Sequence, residues 1–160
     1  DPFYLTWKAK EYGMNTRFIE LAGEINTSMP DYVITKVVEG LNSHGKSIMN
    51  SNILILGLSY KKNVDDLRES PSFEIIDKCI SMGANIAFSD PYFDKIPKTR
   101  KYDFDVSSLK INKKNLNKMD LVIICTDHDD FDYKTILKES KIIIDTRGRS
   151  DRKNSNVVKA

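Results

Sequence analysis

The sequence predicts an α/β protein: a long helical N-terminal segment followed by a small doubly wound, mostly parallel sheet. Three observations predict it. Four short apolar runs, residues 53–56, 86–88, 121–125 and 142–144, punctuate the second part of the chain, and none alternates cleanly with polar residues. Strands covered on both faces read this way. Helical periodicity fills intervals between the runs, so strand, helix and strand succeed one another as βαβ units with right-handed crossovers. Ahead of the first run, apolar residues recur every three or four positions, the period of one long amphipathic helix.

Taken in order, residues 3–12 form a short helical segment that Gly13 ends. Phe18, Ala22, Ile25, Met29, Tyr32, Val33, Val37 and Leu41 then make one apolar stripe along a helix over residues 17–43. Pro30 lies inside it, frees the carbonyl of Asn26 and bends the helix. A long helix of this kind reads as a packing or dimerisation element before a catalytic one. Asn26, beside the bend, is either a polar packing residue or a ligand contact. Ser70-Pro71 is a helix start, a capping hydroxyl followed by proline in the first turn. Phe73, Ile76 and Ile80 share a face of that helix, and Gly83 closes it. Residues 116–119 lead into the third strand, and residues 133–137 form a short helix before the fourth. The expected division is a central helical segment over 1–49, a Rossmann-like domain over 50–150, and a polar tail over 151–160, partly disordered.

With 160 residues the chain can bury one sizeable core. A net charge of +2, with lysines interleaved among acids, makes no demand for nucleic acid. No apolar run approaches the roughly 18 residues of a membrane span, and no signal peptide is visible. Cys79 and Cys125 lie inside apolar patterns and read as buried, reduced thiols. These readings place the chain in the cytoplasm. It starts at Asp1-Pro2 without a methionine and reads as part of something longer.

The polar stretch from Gly57 to Ser72 joins the first strand to the next helix and carries Lys61, Lys62 and Arg68 among Asp65, Asp66 and Glu69. Ligands of open α/β sheets bind outside the carboxyl ends of strands, so a cationic loop there suits a phosphorylated ligand. A dinucleotide site needs G-x-G-x-x-G after the first strand. Gly57 stands alone, so this sheet is not expected to be the main NAD-binding domain. The loop offers side-chain charge instead, Lys61 as a point cation and Arg68 as a fork. The plainer reading pairs Lys62, Asp65 and Glu69 as surface salt bridges of about 0–1 kcal/mol each. Ser89-Asp90-Pro91 ends the second strand and reads as a turn. Residues 125–130, Cys-Thr-Asp-His-Asp-Asp, form a possible pocket rim. A two-carboxylate-plus-histidine metal site is one reading of them and a solvated acidic loop the other; no metal is expected. Arg147 follows the fourth strand and should face the same edge as Lys61. Two cations from separate strand ends suit a diphosphate. No Ser-His-Asp order or Cys/His metal spacing is evident, and His44 has no partner in view.

GLSYKKNVDDLRESPS resembles the signature of the UDP-glucose/GDP-mannose dehydrogenase family, roughly G-x-[FY]-K-x-x-T-D-D-x-R-x-S-P. The resemblance extends along the chain. Asp1-Pro2-Phe3-Tyr4-Leu5 is similar to the segment after that family's catalytic cysteine, residues 18–30 to its central dimerisation helix, and residues 145–147 to its D-x-R. The opening and the Thr-Arg-Phe-Ile-Glu-Leu-Ala-Gly-Glu-Ile-Asn helix look most like bacterial UDP-N-acetylhexosamine 6-dehydrogenases, which make uronic acids for surface polysaccharides. UDP-glucose and GDP-mannose oxidation are the alternatives within the family.

The resemblance implies a four-electron oxidation of a C6 alcohol to a carboxylate through a cysteine thioester, with two NAD reduced. It makes this chain the UDP-sugar-binding, homodimerising part. NAD is held mainly by a domain this chain lacks, and the cysteine falls four residues before Asp1, so the piece alone should be inactive. Asp1 matches an aspartate that assists the hydrolytic or oxyanion chemistry. Lys61 and Tyr60 match contacts to the UDP-sugar, Arg147 an arginine on the UDP side, and Arg68 one that reaches NAD phosphate. Asn26 lies in a helix that supplies an asparagine in relatives, and Arg17 is placed toward a neighbouring subunit. Val64 replaces the family's threonine, which removes a loop hydroxyl. Rivals from other classes are a free-standing nucleotide-binding module and a dimerisation domain. A receiver domain would need paired carboxylates after the first strand, where residues 57–60 have none.

Overall fold

The apolar run after residue 51 becomes β1 (Asn52–Leu56), the centre of the sheet, because it is covered on both faces. The computed structural model describes residues 2–151 and 154–160. Ahead of β1 come α1 (Pro2–Glu11) and α2 (Arg17–Asn42). After it follow α3 (Pro71–Ser81), β2 (Asn85–Ser89), β3 (Ser107–Ser108), α4 (Lys113–Leu116), β4 (Leu121–Ile124), α5 (Tyr133–Glu139), β5 (Ile143–Asp145) and β6 (Val157–Lys159). The strand order is β3-β2-β1-β4-β5-β6, and every pairing is parallel. Winding runs outward from β1 to β3, then restarts at β4 beside β1. The switch point lies between β1 and β4, where Leu56 pairs with both Ser89 and Ile124.

Alternation along β1 sorts the core into two layers. Ile53 and Ile55 face α2 and α3, packing with Val37, Leu41, Ile76 and Cys79. Leu54 and Leu56 face α4 and α5, packing with Leu116, Phe131 and Ile136. Burying each such side chain contributes about 1.5–3 kcal/mol. The α3 signals act as read: the Ser70 hydroxyl accepts the Ser72 N–H and Pro71 occupies the first turn. Cys79 and Cys125 are buried and free. No helix among the described residues is long and apolar enough to cross a membrane.

Several expectations change. The sheet has six strands where four apolar runs were read. β3 consists of two exposed serines that pair with Ala87 and Phe88, and nothing apolar marks it. The polar tail contains β6, where Val157 and Val158 pair with Ile143 and Ile144. Asn156 tethers the approach to β6 by donating to the carbonyls of Leu137 (3.0 Å) and Ser140 (2.8 Å).

The apolar stripe of α2 is also not buried as one unit. The helix continues through Pro30, but only Pro30, Val33, Ile34, Val37, Gly40 and Leu41 are buried. Phe18 is 90% exposed, and Leu21, Ile25, Met29 and Tyr32 are exposed with it. The C-terminal half of α2 is thus a layer of the sheet domain, and the packing unit starts well before residue 50. His44, read as unpartnered, lies with Nδ1 3.0 Å from the Gly40 carbonyl.

Candidate functional site at the sheet switch point

The loop after β1 leaves through Gly57, which adopts φ +82°. A Cβ there would lie 2.4 Å from the Thr126 carbonyl oxygen, so the crossing of the two switch-point loops requires glycine. The loop is then fastened at successive points. Leu58 N–H donates to Asp90 (2.7 Å), Thr126 Oγ1 donates to the Ser59 carbonyl (2.5 Å), and Tyr60 N–H donates to the Asp66 carbonyl (2.8 Å). Asn63, at φ 61°, donates its N–H to His128 Nδ1 (2.9 Å) and exchanges two side-chain bonds with Asp129 (2.7 and 3.0 Å). The β1–α3 loop is therefore held against the ends of β2 and β4.

The cations of this edge divide by partner. Lys62 lies 3.6 Å from Asp129, which Arg149 also approaches at 3.2 Å. Arg149 sits 4.6 Å from the centre of the Tyr133 ring. Arg68 clasps Asp66 with two parallel bonds of 2.9 and 2.8 Å. That clasp, helped by the Arg68 N–H, holds the Asp66 carboxyl down at about 2. The surface pairing read for Lys62 with Asp65 and Glu69 is thus made by other acids.

Lys61 and Arg147 differ. Among the described residues neither has a carboxylate partner for its side chain. The Lys61 amine lies 5.6 Å from the ring centre of exposed Tyr60. Arg147 follows β5, and its Nε donates to the Cys125 carbonyl (2.6 Å), which anchors the base of the guanidinium beside the end of β4. No hydrogen bond among the described residues occupies its terminal nitrogens.

Asp145 shapes the turn that carries Arg147. Its fully buried carboxylate accepts the N–H groups of Arg147 (3.0 Å), Arg149 (3.2 Å) and Ser150 (2.8 Å), and the Lys159 amine at 2.7 Å. Burial pushes this carboxyl up, but Lys159 and the three N–H groups outweigh it and hold it below the usual range. Asp90 follows the same logic: burial raises it, and His128 with the N–H groups of Leu58 and Tyr92 brings it below. The turn reading of Asp90 is half of its role, since it accepts Tyr92 N–H at 2.8 Å and also pins Leu58.

The structure brings Tyr60, Lys61, Arg68 and Arg147 to the carboxyl edge. Asn26 lies on the exposed half of α2, and no hydrogen bond or ion pair among the described residues ties it to that edge. Asp1 lies outside the described residues. The solvated reading of residues 125–130 holds for exposed Asp129 and Asp130 and fails for Thr126 and His128, which are buried. Phe131, 7% exposed, is the signal that could have shown this segment turning inward. Among the described residues no group of three or more His, Cys, Asp or Glu is arranged to hold a metal.

Fold and edge together define the class: a doubly wound parallel α/β domain with cations at its switch-point rim. The chain belongs to the UDP-glucose/GDP-mannose dehydrogenase family, whose UDP binding domain matches residues 54–152. It is 33% identical over 157 residues to a UDP-N-acetyl-D-mannosamine dehydrogenase of Methanococcus maripaludis, covering 92% of this chain and 33% of that protein. It is 30% identical over 150 residues to an NDP-N-acetyl-D-galactosaminuronic acid dehydrogenase of Ralstonia nicotianae, with 92% and 33% covered. The chain thus spans about a third of the length of these curated relatives. Its fold is similar to that of a Pyrococcus horikoshii UDP-D-ManNAc dehydrogenase, with a TM-score of 0.73 at 24% identity over 94% of this chain and 34% of the other. A UDP-glucose dehydrogenase from Pyrobaculum islandicum gives 0.74 at 23% identity, covering 99% and 35%.

Proposed function

We propose that this chain is the UDP-binding and dimerising part of an NAD-dependent UDP-N-acetylhexosamine 6-dehydrogenase serving surface polysaccharide synthesis. The whole enzyme oxidises the C6 alcohol to a carboxylate by two hydride transfers through a cysteine thioester. The observation that carries the reading is the partnering of the cations. Lys62, Arg68 and Arg149 are matched to acids, whereas among the described residues Lys61 and Arg147 have no carboxylate partner, at the ends of β1 and β5, the strands on either side of β4. Lys61 supplies a point charge to one phosphoryl group, and the terminal nitrogens of Arg147 supply a fork to the other. Tyr60 flanks the nucleotide beside Lys61. Asn26 contacts the sugar, and Asp1 assists at the reacting carbon.

NAD, which accepts the hydrides when bound, does not fit this switch point. Gly57 is the only glycine of the loop, and the Leu58 N–H that follows it is committed to Asp90. Arg68, exposed and clasped to Asp66, is the contact this reading assigns to a phosphate of the NAD held by the rest of the enzyme.

Calorimetry with UDP tests the reading. Wild-type chain is expected to bind, and Lys61→Ala or Arg147→Ala to lose about 1.5–3 kcal/mol, roughly ten- to a hundredfold in affinity. Unchanged affinity in both variants overturns it. With UDP-sugar and NAD supplied, the chain alone should give no sustained NADH absorbance; continued turnover would refute its dependence on the rest of the enzyme.

A further inference from the structure

His128 is a fully buried ionisable side chain that the proposed chemistry leaves unused. It follows β4, and its ring meets Tyr92 (5.2 Å between centres) and Phe131 (5.6 Å) edge to face. Its two nitrogens address two other loops. Nδ1 lies 2.9 Å from the Asn63 nitrogen. A backbone amide can only donate, so Nδ1 is the acceptor and the ring proton belongs on Nε2. Nε2 faces Asp90 Oδ2 at 3.3 Å, and that oxygen also accepts the Leu58 N–H. One ring therefore reaches the β1–α3 loop at both ends of a six-residue span, directly at Asn63 and through Asp90 at Leu58. Lys61 lies inside that span. Asn63 holds a left-handed backbone, which asparagine adopts more readily than most residues but still at a cost its surroundings must offset. His128 and its neighbour Asp129 supply the three bonds that do so.

We propose that His128 is the positioning residue of the diphosphate site, holding the loop that presents Lys61 in its binding shape without touching the ligand. The proposal rests on the UDP-binding reading above. It makes Asn63 and Asp90 the two ends of one device: an acceptor that fixes the left-handed corner, and an Nε2 edge packed 3.3 Å from Asp90, the carboxylate that holds Leu58.

Two substitutions separate positioning from space-filling. His128→Asn offers an amide oxygen near the place of Nδ1 but leaves part of the volume empty. His128→Phe fills the volume and offers no acceptor. UDP affinity is expected to stay within about threefold of wild type for His128→Asn and to fall about tenfold for His128→Phe, the span of one hydrogen bond. Hydrogen exchange of the Asn63 amide should follow the same order, slow in the asparagine variant and fast in the phenylalanine one. The opposite ranking, or equal loss in both, reduces His128 to a packing residue and overturns the proposal.

Should neither variant fold, nitrogen NMR of the wild-type ring decides. An unprotonated Nδ1 coupled to the Asn63 amide supports the device, and a protonated Nδ1 overturns it. Wild-type chain that binds no UDP defeats the diphosphate-site reading and this proposal with it. Wild-type binding with the wrong ranking defeats this proposal alone.

Discussion

Single residues at the switch point divide into those whose chemistry is local and those whose meaning depends on a distant partner. Gly57 belongs to both kinds. Its backbone angle suits glycine, but the stronger reason for glycine is Thr126, sixty-nine residues on, whose carbonyl would meet a Cβ at 2.4 Å. Gly57→Ala combines a strained φ with that collision, so urea denaturation should show a loss of about 3 kcal/mol. Asp66 is the local kind. It lies two positions from Arg68, and the two clasp within one loop, although the charges of that loop did not say which acid each cation would take. The absence of a carboxylate at Lys61 and Arg147 was not readable. Acids flank both in sequence, and only the fold sends Asp129 to Lys62 and Arg149, Asp66 to Arg68, and Asp145 to the main chain.

At the scale of elements, the segments with strong period emerged where expected: α2, β1, α3, β4 and α5. The weak ones, β3 and β6, are edge strands of two and three residues that draw their stability from a neighbour already in place. β6 has a consequence for the site, because Lys159 at its end neutralises Asp145, and Asp145 holds the Arg147 turn. The sign of the pH dependence follows. A carboxyl depressed in the folded state contributes stability above its unfolded value of about 3.9, and that contribution is lost as pH falls through the folded value. Stability to urea should thus be level near neutrality and fall below about pH 4. Asp145→Asn should lower stability at pH 7 and make the acid decline shallower; an unaltered decline would show that Asp145 is not a contributor.

At the scale of the whole molecule, α2 joins two environments. Its second half is a layer of the sheet domain, while its first half, α1 and the turn between them expose Trp7, Tyr12, Met14, Phe18, Leu21 and Ile25. Apolar exposure concentrated on one pair of helices marks an interaction surface. The function proposed above takes a second copy of the chain as its occupant. Sedimentation should give a dimer for the wild type and a monomer for Phe18→Glu/Ile25→Glu. Because neither position is buried in the single chain, the variant's thermal unfolding should stay cooperative and retain the sheet.

By itself the sequence determined the α/β class, the parallel sheet, the helix starts and the kind of charge at the strand ends. Each of these is written in local period, capping residues and composition. Only the tertiary structure decided which cations keep free charge, that His128 is buried and tied to two loops, and that the polar tail closes the sheet. Those depend on partners distant in the chain, which loops separated by entire βα units meet only after β1 and β4 have paired.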